Sequence, residues 1–225
     1  MLNPLELTGR AATHIVEVPE LAARLHRDAV APALALKAAA AGAGIDLALV
    51  SSFRDFERQA AIWNAKFRGE RALLDRRGVP LEAAKLSESE RVAAILLWSA
   101  LPGASRHHWG SDFDVIDRAA VPPGYRPQLT VEEYTGAGPF ARLNDWLGAN
   151  LGDQGFFRPY LTDRGGVQPE PWHVSYGPVA GAALPRLSVE VLREAIEQSD
   201  LDGRDRVLEQ LPALHAKYVM AVDPA

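Results

Sequence analysis

The segment Ser105–Ile116 places the strongest constraint on the fold of this chain. In its second half, Phe113 and Val115 alternate with Asp112 and Asp114, which is the period of a β-strand with one apolar and one polar face. We therefore expect a half-buried strand here, with both carboxylates on its polar side.

Helix signals are found on both sides of this strand. Residues 20–41 are rich in Ala and Leu and favour a helix, which Pro32 should kink or restart. Asp55 and Ser87 are suited to act as helix N-caps, and Glu90, three residues after Ser87, completes a capping box. The other expected elements are a strand over 45–53 and helices over 56–67, 87–99, 140–151, 189–198 and 206–219.

The chain has 225 residues, of which 48% are apolar, and this is enough for one sizeable core. We expect a single domain whose core covers about residues 20–180, with a C-terminal helical extension over about 186–225. Two segments rich in charge, Gly or Pro, 68–90 and 119–138, are expected to be surface excursions that border a groove.

Composition excludes several classes of function. The chain contains no cysteine, so it has no disulfide framework, no thiolate metal site and no cysteine nucleophile. Any transition-metal site must therefore use His, Asp or Glu. The net charge of -5 and the six scattered histidines provide no basic patch for a phosphate backbone, so nucleic acid is not an expected partner.

The N-terminus shows neither the basic leader nor the apolar run of a signal peptide. No apolar stretch approaches the roughly 20 residues that cross a bilayer, so we expect no membrane span. The location stays open between the bacterial periplasm or cell envelope, if a leader has been removed, and the cytoplasm.

Candidate metal ligands are concentrated in two segments. The first contains His107 and Asp114, which would lie on opposite faces of a regular strand because they are seven residues apart. Gly110 offers a bend that lets both side chains converge. The adjacent His108 is the alternative ligand if the register is shifted by one residue.

The second segment, Glu170–Tyr176, contains His173 in an alternating pattern typical of a short strand. Pro169 and Pro171 argue against a helix, so Glu170 must approach from a loop, a geometry that suits a base rather than a ligand. An open catalytic zinc site takes three His or carboxylate ligands and leaves the fourth position for water, whose proton a nearby carboxylate accepts.

Together the two segments read Ser-x-His-x-x-Gly-x-x-x-Asp and Glu-x-x-His. They resemble the zinc D-alanyl-D-alanine carboxypeptidases and dipeptidases, a group that includes the vancomycin-resistance peptidases and shares a fold with the Hedgehog signalling domain. A third motif, Ser51–Gln59, looks like the family's Ser-Gly-Tyr-Arg-x-x-x-x-Gln. The resemblance covers about residues 45–176. It implies an α+β fold in which a small antiparallel sheet, flanked by helices, carries the zinc site.

The resemblance also implies a role for each site residue. His107, Asp114 and His173 would hold one Zn²⁺ per chain, and Glu170 would be the catalytic base. The motif around residue 54 would add catalytic and substrate-binding groups.

In that motif, Arg54 would contact the substrate. A fixed guanidinium near a zinc suits either a peptide C-terminal carboxylate or the oxyanion formed during attack. The alternative is that Arg54 pairs with Asp55 or Glu57 at the start of the helix. Gln59 either lines the pocket or lies on the helix, and Ser105 either donates a hydrogen bond to the substrate or belongs to a turn.

The implied function is a zinc metallopeptidase that hydrolyses D-Ala-containing peptidoglycan peptides. The leading hypothesis is a D-alanyl-D-alanine carboxypeptidase whose partner is a stem peptide or its precursor. The family also contains D-Ala-D-Ala dipeptidases and peptidoglycan endopeptidases, including endolysins. A Hedgehog-like, metal-stabilised binding module is the non-enzymatic alternative, but such a module dispenses with the base, so Glu170 favours an enzyme. The sequence does not indicate an oligomeric state.

One position departs from the family's pattern. The family usually has a small residue two positions before the ligand aspartate, where this chain has Asp112. This carboxylate either orients a ligand histidine, pairs with Arg106 or faces solvent, and the sequence does not choose between these roles.

Overall fold

The computed structural model describes residues 1–224. Its helices and strands, in chain order, are α1 (Pro4–Leu7), β1 (Ile15–Val18), β2 (Ala23–His26), α2 (Val30–Gly42), β3 (Leu47–Ser51), α3 (Phe56–Phe67), β4 (Leu73–Leu74), β5 (Pro80–Leu81), α4 (Glu88–Leu96), β6 (Asp112–Asp117), α5 (Ala141–Asn150), β7 (Phe156–Phe157), β8 (His173–Tyr176), α6 (Gly177–Ala183), α7 (Val189–Glu197) and α8 (Arg204–Leu214).

A four-stranded antiparallel sheet in the order β3-β6-β8-β7 forms the centre of the molecule. All six residues of β6 are buried, so the prediction of a half-buried strand is wrong. Its apolar face packs against α2 and α5, and its polar face is covered as well. The register places Asp114 opposite Ser51 of β3 and opposite His173 of β8. The α+β fold expected from the sequence is therefore confirmed, and the alternating strand lies at its centre.

The buried apolar residues form two hydrophobic clusters, of which the first packs helices against this sheet. The first joins α2 and α5 to the apolar side chains of the sheet, among them Leu36, Leu143, Val115 and Val174. The second joins α3 and α4 to α7 and α8, among them Trp63, Ile95, Leu192 and Leu211. The C-terminal helices thus share a core with the helices that follow β3. Within residues 1–224, no helix is both long and apolar enough to cross a membrane.

Several local signals act as the sequence predicts. Asp55 caps α3 by accepting a hydrogen bond from the backbone N–H of Arg58 at 2.8 Å. Ser87 and Glu90 form the capping box of α4. The helices predicted over 56–67 and 140–151 are confirmed, whereas α4 ends at Leu96, three residues before the expected end.

The prediction of one helix over residues 20–41 is wrong at its start. Ala23–His26 form β2, which pairs with β1 in a hairpin, and the helix begins only at Val30. This pairing overrides the local preference of the residues for a helix. Pro32 lies in the first turn of α2, where its missing N–H has no intrahelical acceptor to lose, so the helix need not kink.

The segment 68–90 forms the small β4–β5 hairpin and one short 3₁₀ turn, Ala83–Lys85. At the other end of the chain, Asp223 accepts hydrogen bonds from the backbone N–H of Thr162 at 2.8 Å and from the side chain of Arg164 at 3.1 Å. The C-terminal residues therefore hold the loop that precedes β8.

Gly110 is required by the fold because its φ of +65° is left-handed and its Cα lies against the β1–β2 hairpin. A Cβ there would lie 2.6 Å from the backbone nitrogen of His26. We predict that Gly110→Ala lowers the free energy of unfolding by about 3 kcal/mol, from left-handed strain and overpacking together.

The matched control is Gly124→Ala, where φ is +75° but a Cβ would meet no atom within 4 Å. This change should cost only about 1 kcal/mol. Urea denaturation followed by circular dichroism measures both values. Equal losses in the two variants would show that the close approach of Gly110 is unimportant.

Candidate metal centre

Three metal-competent side chains converge on the polar face of the sheet. His107 lies in the 3₁₀ turn Arg106–Trp109, Asp114 lies on β6, and His173 begins β8. The left-handed Gly110 ends the turn and starts the reversal into β6, as the sequence predicts. One ligand atom of each of the three side chains lies within 4.8 Å of the others.

The donor atoms of this cluster fit a zinc ion. His107 Nε2 lies 3.6 Å from Asp114 Oδ2, and His173 Nδ1 lies 3.5 Å from Asp114 Oδ1. Asp114 Oδ1 is buried and has no hydrogen-bond partner among the described residues. A buried carboxylate oxygen without a donor is costly, and two imidazoles with one carboxylate form a donor set that Zn²⁺ prefers.

One nitrogen of the His107 ring contacts the backbone, and the other is available to bind a metal. Its Nδ1 lies 3.1 Å from the carbonyl oxygen of Ser52, so this nitrogen carries the proton and Nε2 faces Asp114. Burial, reinforced by the positive charge of Arg54, lowers the pKa of His107 well below its usual value. The imidazole is therefore neutral, which is the form that binds a metal.

Negative charge is in excess around His173. Burial raises the pKa of Asp114 to about 6, and the neighbouring Glu170 carboxylate acts in the same direction. Burial alone would lower the pKa of His173, but hydrogen bonds with Asp112 and Glu170 raise it to about 10. The negative charge of these carboxylates also attracts a metal cation. A bound cation would take the place of the proton on His173 Nδ1.

Asp112 fixes the orientation of His173. Its Oδ1 accepts from His173 Nε2 at 3.1 Å, and this contact turns Nδ1 towards Asp114. The same oxygen accepts from Arg106 Nε at 2.7 Å, and Oδ2 accepts from the Ser111 hydroxyl at 2.7 Å. Asp112 therefore both orients a histidine and pairs with Arg106, two of the roles that the sequence left open. The third role, a carboxylate facing solvent, is wrong, because Asp112 has 0% exposure.

His108 cannot serve as a ligand in this fold. Its Nδ1 lies 2.6 Å from the carbonyl oxygen of Arg54, and its Nε2 accepts from the backbone N–H of Gly103 at 3.1 Å. Both ring nitrogens are thus used by the backbone, and the residue is fully buried. This geometry favours His107 over His108 as the metal-facing residue.

Arg54 is half-buried beside the cluster and does not pair with Asp55 or Glu57. It donates to Gln59 Oε1 at 2.6 Å and to Ser51 Oγ at 3.1 Å. Gln59 is fully buried, and its Nε2 donates to the carbonyl oxygen of Ala100 at 2.7 Å. The geometry does not support the expected direct contact of Gln59 with a substrate, because its amide orients Arg54 instead.

The cluster lies at the base of a cleft of about 550 Å³, called the metal cleft below. The two surface excursions border it as expected, and the residues lining it include Leu74, Arg77, Gly78, Gln128, Leu129, Thr130, Arg54, Ser105, Tyr160, Glu170 and Trp172. Ser105 is only 1% exposed, so little of its surface is open to a ligand.

Glu170 approaches from a loop, as its flanking prolines predict. Its Oε2 lies 3.2 Å from His173 Nδ1, and its backbone N–H donates to the carbonyl oxygen of Tyr160 at 2.7 Å. Tyr160 also packs edge-on against the His173 ring, with 5.1 Å between ring centroids. Sequence reasoning misses Tyr160, because no motif marks it within an irregular segment.

Comparison with known proteins places the chain in a family. The model of the VanY family, described as D-alanyl-D-alanine carboxypeptidase, matches residues 22–179, which include the whole metal cluster. The chain belongs to this family and is a peptidase.

Two uncharacterized proteins of Haemophilus influenzae (strain ATCC 51907 / DSM 11121 / KW20 / Rd) are similar in sequence. One is 34% identical over 122 residues, which cover 53% of this chain and 93% of that protein. The other is 44% identical over 103 residues, which cover 44% of this chain and 70% of that protein.

Solved structures share the fold. A mutant of the vancomycin-resistance D,D-pentapeptidase VanY, in complex with Zn(II), has a TM-score of 0.52 and 24% identity over 79% of this chain and 86% of that one. VanYB in complex with D-alanine-D-alanine has a TM-score of 0.52 and 21% identity, over 83% and 89%. The LD-carboxypeptidase LdcB has a TM-score of 0.51 and 21% identity, over 78% and 72%.

The contrast between the two adjacent histidines is testable. We predict that His107→Ala lowers zinc affinity at least about 100-fold, because it removes a ligand. His108→Ala should keep zinc binding but lower the free energy of unfolding of the metal-free protein by about 3 kcal/mol, because it leaves two buried backbone groups unpaired.

Competition with a chromogenic chelator gives the zinc affinity, and urea denaturation gives the stability. If His108→Ala abolished zinc binding while the metal-free protein kept its stability, the assignment of the two residues would be reversed.

Proposed function

We propose that the chain is a zinc-dependent D-alanyl-D-alanine carboxypeptidase that acts on peptidoglycan stem peptides or their precursors. His107, Asp114 and His173 hold the zinc ion, and Glu170 is the catalytic base. The observation that carries the proposal is the closeness of these four side chains, which lie within the region matched by the family.

A zinc ion bound here supplies an electrophile that polarises the scissile carbonyl and makes water more acidic. Glu170 then acts as the proton carrier: its carboxylate accepts a proton from the attacking water and passes it to the leaving amine. Its position beside His173 Nδ1 supports this role, because the carboxylate is close to the ligand set and approaches it from a loop.

Arg54 is the group proposed to bind the substrate. Its guanidinium is half-buried, is held by Gln59 and Ser51, and lines the metal cleft. It therefore offers a fixed positive charge for the terminal carboxylate or for the oxyanion that forms during attack. Ser105 also lines the cleft, and its hydroxyl is proposed to donate a hydrogen bond to the same substrate through the small part of its surface that is exposed.

The bordered shape of the metal cleft supports the proposal of a carboxypeptidase activity. Residues of the segment that forms the β4–β5 hairpin line the cleft together with residues 128–132, and a bordered cleft suits a short leaving group. We also propose that the chain acts as one domain with a C-terminal helical extension, since α7 and α8 share a core with α3 and α4.

The role of Glu170 is tested by two substitutions. Glu170→Ala should bind zinc as the wild type does and lose hydrolysis by a factor of about 10²–10⁴, because it removes only the proton carrier. His173→Ala should lose both zinc and hydrolysis. Release of D-Ala from UDP-linked pentapeptide, free D-Ala-D-Ala and intact sacculi, with and without chelator, gives the activity.

Isothermal titration calorimetry of the metal-free proteins with zinc gives the affinity and stoichiometry of zinc binding for the same variants. Wild-type turnover in the Glu170→Ala variant would show that another group is the base. Chelator-insensitive release, or no release from any of the three substrates, would contradict the proposed function itself.

Asp112 gives a further prediction, because it orients the ligand His173 and is not itself one of the proposed zinc ligands. Asp112→Asn should weaken zinc binding by about 10-fold to 100-fold, since a neutral amide orients His173 less firmly. Ser175→Ala is the control: it removes the other hydrogen bond of Arg106, at 2.7 Å, and leaves the contact of Asp112 with His173 intact. If both variants bound zinc as tightly as the wild type, Asp112 would not position the ligand.

A further inference from the structure

A second groove of about 530 Å³ lies beside the metal cleft. We call it the side groove. It is bounded by residues 17–19 and 22–24 of the β1–β2 hairpin, by residues 49–54 at the end of β3, and by Arg58 of α3. Arg54 lines both the side groove and the metal cleft, so this residue lies between the two spaces.

The side groove carries positive charge on an otherwise acidic protein. The chain has a net charge of -5, yet three arginines, Arg24, Arg54 and Arg58, line the groove against one acidic residue, Glu17. Among residues 1–224, none of these four side chains takes part in an ion pair. Guanidinium groups without carboxylate partners in a concave surface favour an anionic ligand.

The arginines are placed by the surrounding structure. The guanidinium of Arg24 stacks on the ring of Phe53, 4.7 Å from its centroid. Burial is the main reason that the pKa of Arg54 is lowered; the Asp114 carboxylate opposes this effect, and the positive charge of Arg58 adds to it. An anion between these groups would relieve their repulsion.

The groove also borders an outer strand of the sheet. Directly after this strand, the Phe53 N–H donates to the carbonyl oxygen of Arg24 in β2 at 3.1 Å. β3 is an outer strand of the four-stranded sheet, and β6 is its neighbour there. Val50, at an irregularity in the pairing with β6, is 48% exposed and lines the groove. An extended peptide is the ligand that fits a groove beside an outer strand, because such a peptide can hydrogen-bond to a strand backbone.

We propose that the side groove binds an acidic, extended part of the substrate on the N-terminal side of the scissile bond, with its carboxylates at Arg24 and Arg58. The inference rests on the proposed function: a carboxypeptidase releases one residue, so any substrate that continues beyond the metal cleft does so through its N-terminal part. A stem pentapeptide has three residues before D-Ala-D-Ala, which extend by about 10 Å and carry free carboxylates.

The test compares two substrates on the zinc-loaded full chain. One is the free stem pentapeptide, with its carboxylates, and the other is diacetyl-L-Lys-D-Ala-D-Ala, whose only carboxylate is the terminal one. The variant Arg24→Ala/Arg58→Ala should lower kcat/KM for the pentapeptide about 10-fold or more and leave that for the diacetyl peptide within about twofold.

A double variant with the same change of charge is the control. Arg118→Ala/Arg204→Ala removes two arginines whose side chains are 64% and 42% exposed and which lie outside both the side groove and the metal cleft, and it should keep wild-type values for both substrates. A pentapeptide with amidated side carboxylates should lose about the same factor on the wild type and show no further loss on the Arg24→Ala/Arg58→Ala variant.

The results separate the two proposals. An unchanged pentapeptide value in the side-groove variant, or an equal loss for both substrates, would overturn the side groove and leave the carboxypeptidase standing. Absence of hydrolysis of both substrates by the wild type would overturn both.

Discussion

The buried carboxylate of Asp112 is the contact on which the site depends. It lies on the central strand, and a charge without solvent is tolerated only when it is paired and hydrogen-bonded. Arg106 and Ser111 meet this requirement, and His173 uses the same carboxylate. One network thereby stabilises the inside of the sheet and aims a ligand at the metal position.

The sequence predicts those features of the site whose geometry is set by residues close together in the chain. The alternation around Asp114, the bend at Gly110 and the loop position of Glu170 each depend on neighbours in the chain, and all three are found as expected. The cap at Asp55 is of the same kind. Such features follow from backbone preferences that neighbouring residues set by themselves.

The parts that sequence does not predict depend on residues far apart in the chain. The β1–β2 hairpin replaces an expected helix because strand pairing decides its conformation. Gln59 has a side chain suited to a pocket, but the partners that bury it, Arg54 and Ala100, are known only from the fold. His107 and His108 cannot be ranked by composition, since the backbone acceptor and donor that occupy His108 are revealed only in three dimensions.

The register of the sheet has a consequence for how this site forms during folding. Asp114 and His173 are direct neighbours across β6 and β8, although the α5 helix and two long loops separate them in the chain. Closing such a long loop costs chain entropy before any contact compensates it, and non-local strand pairing is slow. We therefore expect the metal site to be completed late in folding, and a nascent chain that ends before residue 173 holds only part of the ligand set.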